Sequence, residues 1–136
     1  MTFIQITLVG LLLLLIIERA RAQAMVVYPP AISVDKLLKC LRQLEGYHGL
    51  PGQNGELGEF QLLPVNCVLN QGGSEKEARL FLSHLMREIQ AFEGRPAMVS
   101  EIGQCWNGGL GRFKQNRVSA QAYDYGLRLM QSYYGN

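Results

Sequence analysis

Residues 33–46 read Ser-Val-Asp-Lys-Leu-Leu-Lys-Cys-Leu-Arg-Gln-Leu-Glu-Gly, and residues 58–64 read Gly-Glu-Phe-Gln-Leu-Leu-Pro. In the first stretch Val34, Leu37, Leu38, Leu41 and Leu44 recur at the spacing of one helix face, behind Ser33 as an N-cap. Gly46 marks the stop, because a left-handed residue closes a helix and glycine adopts that conformation without a Cβ penalty. Glu45, the last helical residue, therefore shares the apolar stripe of Leu38 and Leu41. An acid in that place is expected to face the core side. Between the two stretches, residues 46–58 hold five glycines with Pro51 and Asn54. They are expected to form a loop, with a small hairpin around Asn54 to Gln61.

Further helices follow. Ser74-Glu75-Lys76-Glu77 has the form of a capping box, in which Ser74 and Glu77 satisfy each other's backbone donors. The helix it opens is expected to carry Ala78, Phe81, Leu85, Ile89 and Phe92 on one stripe, ending at Gly94. Pro96 is expected at the first turn of a helix running through Met98, Val99 and Ile102 to Trp106, stopped by Gly108-Gly109. A last helix is expected from Ser119 to Tyr134, with Ala122, Tyr125, Leu129 and Tyr133 inward. No long strand ladder and no internal repeat are visible. The fold class expected is mainly α, with a glycine-rich loop or small hairpin beside a cleft.

Composition agrees with one packed domain: 136 residues, 48% hydrophobic and 18% charged. Without its first 24 residues the chain keeps about 110, enough to bury roughly two-thirds of its unfolded surface. That portion carries 11 basic and 10 acidic side chains. Its near-neutral balance lacks the dense basic stripe of a nucleic-acid binder. A local excess, Arg112, Lys114, Arg117 and Arg128 against Asp124, reads first as a solvated surface and second as a patch for an anionic polymer. Three cysteines, Cys40, Cys67 and Cys105, cannot all pair within one chain and show no zinc spacing with His48 or His84. Buried free thiols are the favoured reading and one disulfide the minor one. No metal or other cofactor is implied.

Residues 3–17 form an apolar run broken by Gln5, Thr7 and Gly10. Fifteen helical residues reach about 22 Å, short of the ~30 Å hydrocarbon core. A membrane anchor and a cleaved signal peptide both fit, the second because Ala20-Arg21-Ala22 offers a small-residue cleavage site, and a buried core helix is the third reading. The positive charges of Arg19 and Arg21 follow the run rather than precede it, which for an anchor favours a cytoplasmic C-terminal flank. The expected division is residues 1–24 as anchor or signal and residues 25–136 as the working domain, meeting the membrane through residues 3–17.

Four features stand in order: Glu45 closing a helix, Gly58-x-x-Gln61-x-x-Pro64, Trp106-Asn107-Gly108-Gly109, and Tyr125 in the last helix. This order resembles the lysozyme-like lytic transglycosylases, the soluble-lytic and goose-lysozyme-related group found in phages and secretion systems. The resemblance spans roughly residues 34–134. It departs at Gly46, where the family commonly has serine, and at Ala122, where threonine is frequent.

The resemblance implies an α+β lysozyme-like fold and cleavage of the MurNAc–GlcNAc bond of peptidoglycan. Its glycan strands would be the substrate, and virion or secretion-complex proteins the companions. The resemblance makes Glu45 the catalytic acid, with Gln61, Asn107 and Tyr125 as substrate-binding residues. Phe60 is expected beside them as an apolar wall. Such chemistry needs a proton for the leaving oxygen and stabilisation of an oxocarbenium-like state. A glutamate against apolar surfaces keeps its proton nearer neutrality. Glu56 and Glu59 leave a hydrolytic route open, since either could orient water as a second carboxylate. A non-catalytic glycan-binding protein is the alternative from another class. The plainer reading of each residue is structural: Asn107 as a helix cap, Trp106 as packing, His48 as an exposed loop residue.

Overall fold

The computed structural model describes Gly10 and residues 12–16, 31–46 and 52–135. The chain divides into two units, Met1–Ala31 and Ile32–Asn136. In the first, Gly10 and residues 12–16 are helical, and Leu12 to Ile16 are exposed. Most of the expected anchor or signal segment lies outside the described residues. No helix among the described residues is long and apolar enough to cross a membrane.

The second unit is mainly helical. In chain order it contains α1 (Val34–Glu45), a short 3-10 turn (Pro64–Asn66), α2 (Glu75–Glu93), α3 (Val99–Gly108), α4 (Leu110–Lys114) and α5 (Ala120–Tyr134). The Ser33 side chain caps α1 by accepting from the Lys36 amide, and Gly46 ends the helix in the left-handed conformation with φ 56°. The Ser33 amide donates to the Tyr133 hydroxyl at 2.8 Å, which ties the start of α1 to the end of α5.

The core gathers Leu37, Leu38 and Leu41 of α1, Leu82, Leu85 and Ile89 of α2, Ile102 of α3 and Leu129 of α5. Burying each such side chain contributes about 1.5–3 kcal/mol before chain entropy is counted. The most extensive helix pair is α3 with α5. There a Cβ on Gly103 would lie 2.7 Å from the Cα of Gly126, so the two backbones approach at paired glycines. One turn further on, a Cβ on Gly108 would lie 2.6 Å from the Cβ of Ala122. This contact fixes the C-terminal end of α3 against the first turns of α5.

Several expectations need correction. Pro96 does not begin a helix: α3 starts at Val99, and the Glu101 carboxylate caps it by accepting from the Met98 amide at 2.9 Å. Ser74 does cap α2, but Glu77 does not close a reciprocal box with it. The Glu77 carboxylate instead accepts from the amides of Leu69, Gln71 and Gly73, at 3.2, 2.9 and 3.0 Å. Phe92 is not on the core stripe; it is exposed and meets Phe113 edge-on. The hairpin reduces, among the described residues, to one antiparallel bridge between Leu57 and Leu62. All three cysteines are free and buried. Burial pushes the Cys105 thiol up to about 12.

Candidate functional site

Helix α1 is amphipathic to its last turn, so its final residue emerges where the core meets solvent. Glu45 is half-buried there. It helps line a cleft of about 430 Å³, with the 52–63 segment on one side and the end of α3 on the other. The Tyr125 hydroxyl donates to Glu45 Oε1 at 2.5 Å, across 80 residues of sequence. Tyr125 itself is buried, and burial together with the Glu45 charge raises the pKa of its phenol. Burial is also the largest influence on Glu45 and holds its carboxyl above the usual carboxylate range. The hydrogen bonds from Tyr125 and Trp106 work against that rise; the charge of Glu56 adds to it and that of Arg128 opposes it.

Glu56 shares the cleft but has the opposite character. Its carboxylate accepts from the Asn54 amide at 2.8 Å and from the Asn54 side chain at 3.0 Å. These bonds lower its pKa, beginning with the backbone contribution of its own loop. One cleft thus holds a carboxyl biased towards its proton and a carboxylate biased towards its charge. That division of acid from base is what two-carboxylate hydrolysis of an acetal uses.

Gln61 reaches the cleft from the turn between Leu57 and Leu62. Its backbone is left-handed, φ 47°, unusual for a residue with a Cβ and sustained by the bridge on either side. Its amide nitrogen donates to the Gly58 carbonyl at 2.9 Å. A Cβ on Gly52 would sit 2.8 Å from its amide oxygen, so Gly52 leaves that oxygen room in the cleft. Gly58 has φ 67° and lies directly beneath the Gly72 and Gly73 carbonyls, where no side chain fits. The loop clamped by Glu77 therefore supports the turn that carries Gln61.

Asn107, at the end of α3, is exposed on the facing wall. Trp106 lines the cleft beside it, with its ring 5.3 Å from that of Phe81. Glu45, Glu56, Gln61 and Asn107 therefore share one cleft, and Tyr125 enters it through its bond to Glu45. Phe60 does not line it. That residue is 1% exposed, belongs to the core, and stacks beneath the Arg42 guanidinium at 5.1 Å. Glu59 pairs with Arg42 and is likewise outside the cleft lining. His48 lies outside the described residues.

Gln53, Asn66 and Gln121, absent from the expected site residues, also line the cleft. Gln121 had a signal: it precedes Tyr125 by four on α5, one turn along the same face. Arg128, whose guanidinium lies 5.5 Å from the centre of the Tyr125 ring, had only the basic cluster to mark it. Two positions beside the site are also locally constrained. Gly46 occupies a left-handed position that serine would adopt only with strain. Ala122 is fully buried against Gly108.

Comparison with protein-family models, with curated proteins and with solved structures finds no match for this chain.

Proposed function

We propose that the chain is a lysozyme-like lytic transglycosylase that cleaves the MurNAc–GlcNAc bond of peptidoglycan, with Glu45 as its only acid–base residue. One observation carries the reading: a half-buried glutamate, its pKa raised by burial and its carboxylate held by a buried tyrosine, opens on a polar cleft. In this mechanism the Glu45 carboxyl gives its proton to the glycosidic oxygen as the C1–O bond breaks. The 6-hydroxyl of the same MurNAc then attacks C1 and returns its proton to Glu45. The products are a strand with a free 4-hydroxyl and a strand with a 1,6-anhydro end, with no water consumed. Gln61 and Asn107, on opposite walls, are the residues to hold the sugar amides and hydroxyls, with Tyr125 orienting the acid.

Export to the wall, either tethered or released through residues 1–24, would bring the domain to this substrate. Both a phage virion and a secretion apparatus would use such local opening of the wall. The test is loss of turbidity of purified wall treated with the full chain. Activity is expected, and Glu45→Gln is expected to lower it at least ~10³-fold. Undiminished cleavage by that variant would sink the assignment of Glu45. Binding to wall without cleavage by the unsubstituted chain would instead support a non-catalytic glycan-binding protein.

Glu56 supports a second reading, hydrolysis, because it is a charge-biased carboxylate in the same cleft. Product masses separate the routes, since an anhydro end is lighter than a hydrolysed end by one water. Transglycosylation also predicts that Glu56→Gln keeps most of the turnover. Hydrolysis with Glu56 as base predicts a loss of ~10²-fold or more.

A further inference from the structure

Glu45 and Gln61 reach the cleft from different parts of the chain, and Arg42 touches both parts. It stands one helical turn before Glu45 in α1, outside the cleft lining. Its guanidinium pairs with the Glu59 carboxylate, lies over the Phe60 ring at 5.1 Å and reaches the Glu75 carboxylate at 3.5 Å. Glu59 and Phe60 are the two residues before Gln61, and Glu75 is the first residue of α2.

An exposed ion pair alone adds little, because water competes for both charges and two long side chains must be held still. Here the partners are not independent. Phe60 is 1% exposed and fixed in the core, so its ring gives the planar guanidinium a rigid platform. Glu75 also meets Arg79 at 3.4 Å, and Arg79 holds Asp35 of α1 at 2.8 Å. Charges of alternating sign, Glu59, Arg42, Glu75, Arg79 and Asp35, therefore run from the cleft turn along the seam between α1 and α2.

The turn at the end of this row is under strain. Gln61 has a left-handed backbone, φ 47°, which a residue with a Cβ keeps only where its surroundings hold it. The Leu57–Leu62 bridge closes the turn on itself but does not place it against α1. Burial of Phe60 and the grip of Arg42 on Glu59 and Phe60 do that.

We infer that Arg42 is a positioning residue: by pairing with Glu59 and stacking on Phe60 it fixes the turn that carries Gln61 relative to Glu45. The inference rests on the assignment of the cleft to the glycan strand. Arg42 acts through Gln61 and touches no substrate. Gln61 holds the sugar before and during bond cleavage alike, so loosening it weakens binding and leaves the chemical step largely intact.

The experiment measures KM and kcat on purified wall with the full chain. In parallel, the binding of an N-acetylglucosamine tetramer is read from the fluorescence of Trp106, the single tryptophan and part of the cleft lining. The variants are Arg42→Ala, Gln61→Gly, which suits the left-handed backbone, and the two combined. Glu59→Gln breaks the pair from the other side and replaces Arg42→Ala if circular dichroism shows that variant unfolded. Arg42→Ala is expected to raise KM and the tetramer Kd roughly fivefold, with kcat within about twofold. The combined variant is expected to bind no more weakly than Gln61→Gly alone, since a residue acting through Gln61 then has nothing left to position.

Additive losses in the combined variant, or a fall in kcat with KM unchanged, overturn the inference and leave the glycan assignment standing. If the wall is not cleaved, that assignment fails, and the tetramer titration still decides the role of Arg42. Non-additive losses there support it; additive losses, or no saturable binding, overturn it.

Discussion

Glu45 is held between opposing influences, and each can be removed separately. Burial and the Glu56 charge raise its pKa, while the bonds from Tyr125 and Trp106 lower it. A general acid works only while protonated, so activity is expected to fall as pH rises through the pKa of Glu45. Tyr125→Phe removes a bond to the charged form and should move that limb to higher pH, with a fall in turnover from the loss of positioning. Glu56→Gln removes a repelling charge and should move the same limb to lower pH. A pH–rate profile of the two variants that shifted in one direction would contradict the assignment.

The same residue has a predictable effect on stability. Because its folded pKa is raised, the native state binds more protons than the unfolded chain around and above the ordinary glutamate value of 4.5. Stability contributed by the neutral carboxyl is present in acid and falls as pH rises through the folded pKa. Glu45→Gln keeps an acceptor for Tyr125 without the charge. Its melting temperature should therefore match or exceed that of the unsubstituted chain at pH 7, with the difference shrinking towards pH 4. A large loss of stability at neutral pH would mean that the charge is held favourably.

At the scale of elements, two devices position the walls of the cleft. The first is the glycine crossing of α3 and α5. Gly103→Ala places a methyl group 2.7 Å from backbone rather than from a flexible side chain, so the helices must separate. A loss of about 1–3 kcal/mol is expected in denaturant unfolding, together with lower activity, because Asn107 and Tyr125 sit on the two displaced helices. The second is the Glu77 carboxylate, which has no exposed surface and accepts from three loop amides. Glu77→Ala leaves those donors without their partner and should cost about 2–4 kcal/mol. A change within a few tenths of a kcal/mol would show that water replaces the carboxylate there.

These devices mark how far sequence patterns reach. The helix of Val34–Glu45 was legible from its stripe, its serine cap and its closing glycine, because those signals are local. Ser74 was rightly read as a cap, yet the partners of Glu77 were not legible: a carboxylate at the third helical position reaches back to whichever amides the preceding loop presents. Phe92 continues the apolar spacing of α2 but stays exposed, meeting Phe113 of α4 edge-on, and periodicity carries no information about how far a neighbour covers a face. Pro96 suits a first turn, but Glu101 captures the Met98 amide and sets the helix start later.

Across the whole molecule, the cleft is assembled from segments far apart in sequence, with α1 supplying the acid and α5 its hydroxyl partner. On the proposed reading, residues 1–24 either tether this assembly to a membrane or are removed to release it. Mass spectrometry of the mature protein is expected to find those residues if they anchor it and to find a new N-terminus near Gln23 if a signal peptidase acts. A mature chain starting elsewhere would remove both readings of the segment.

By itself the sequence determined the helical character, the ends of α1, α2 and α5, and the order of Glu45, Gln61, Asn107 and Tyr125. Those follow from apolar spacing, caps and glycines, which act over a few residues. Only the tertiary structure decided that Tyr125 bonds Glu45, that Glu56 shares the cleft while Phe60 turns into the core, and that Gly103 meets Gly126. Each of those outcomes depends on which helix faces are pressed together, and burial, the largest influence on Glu45, exists only once they are.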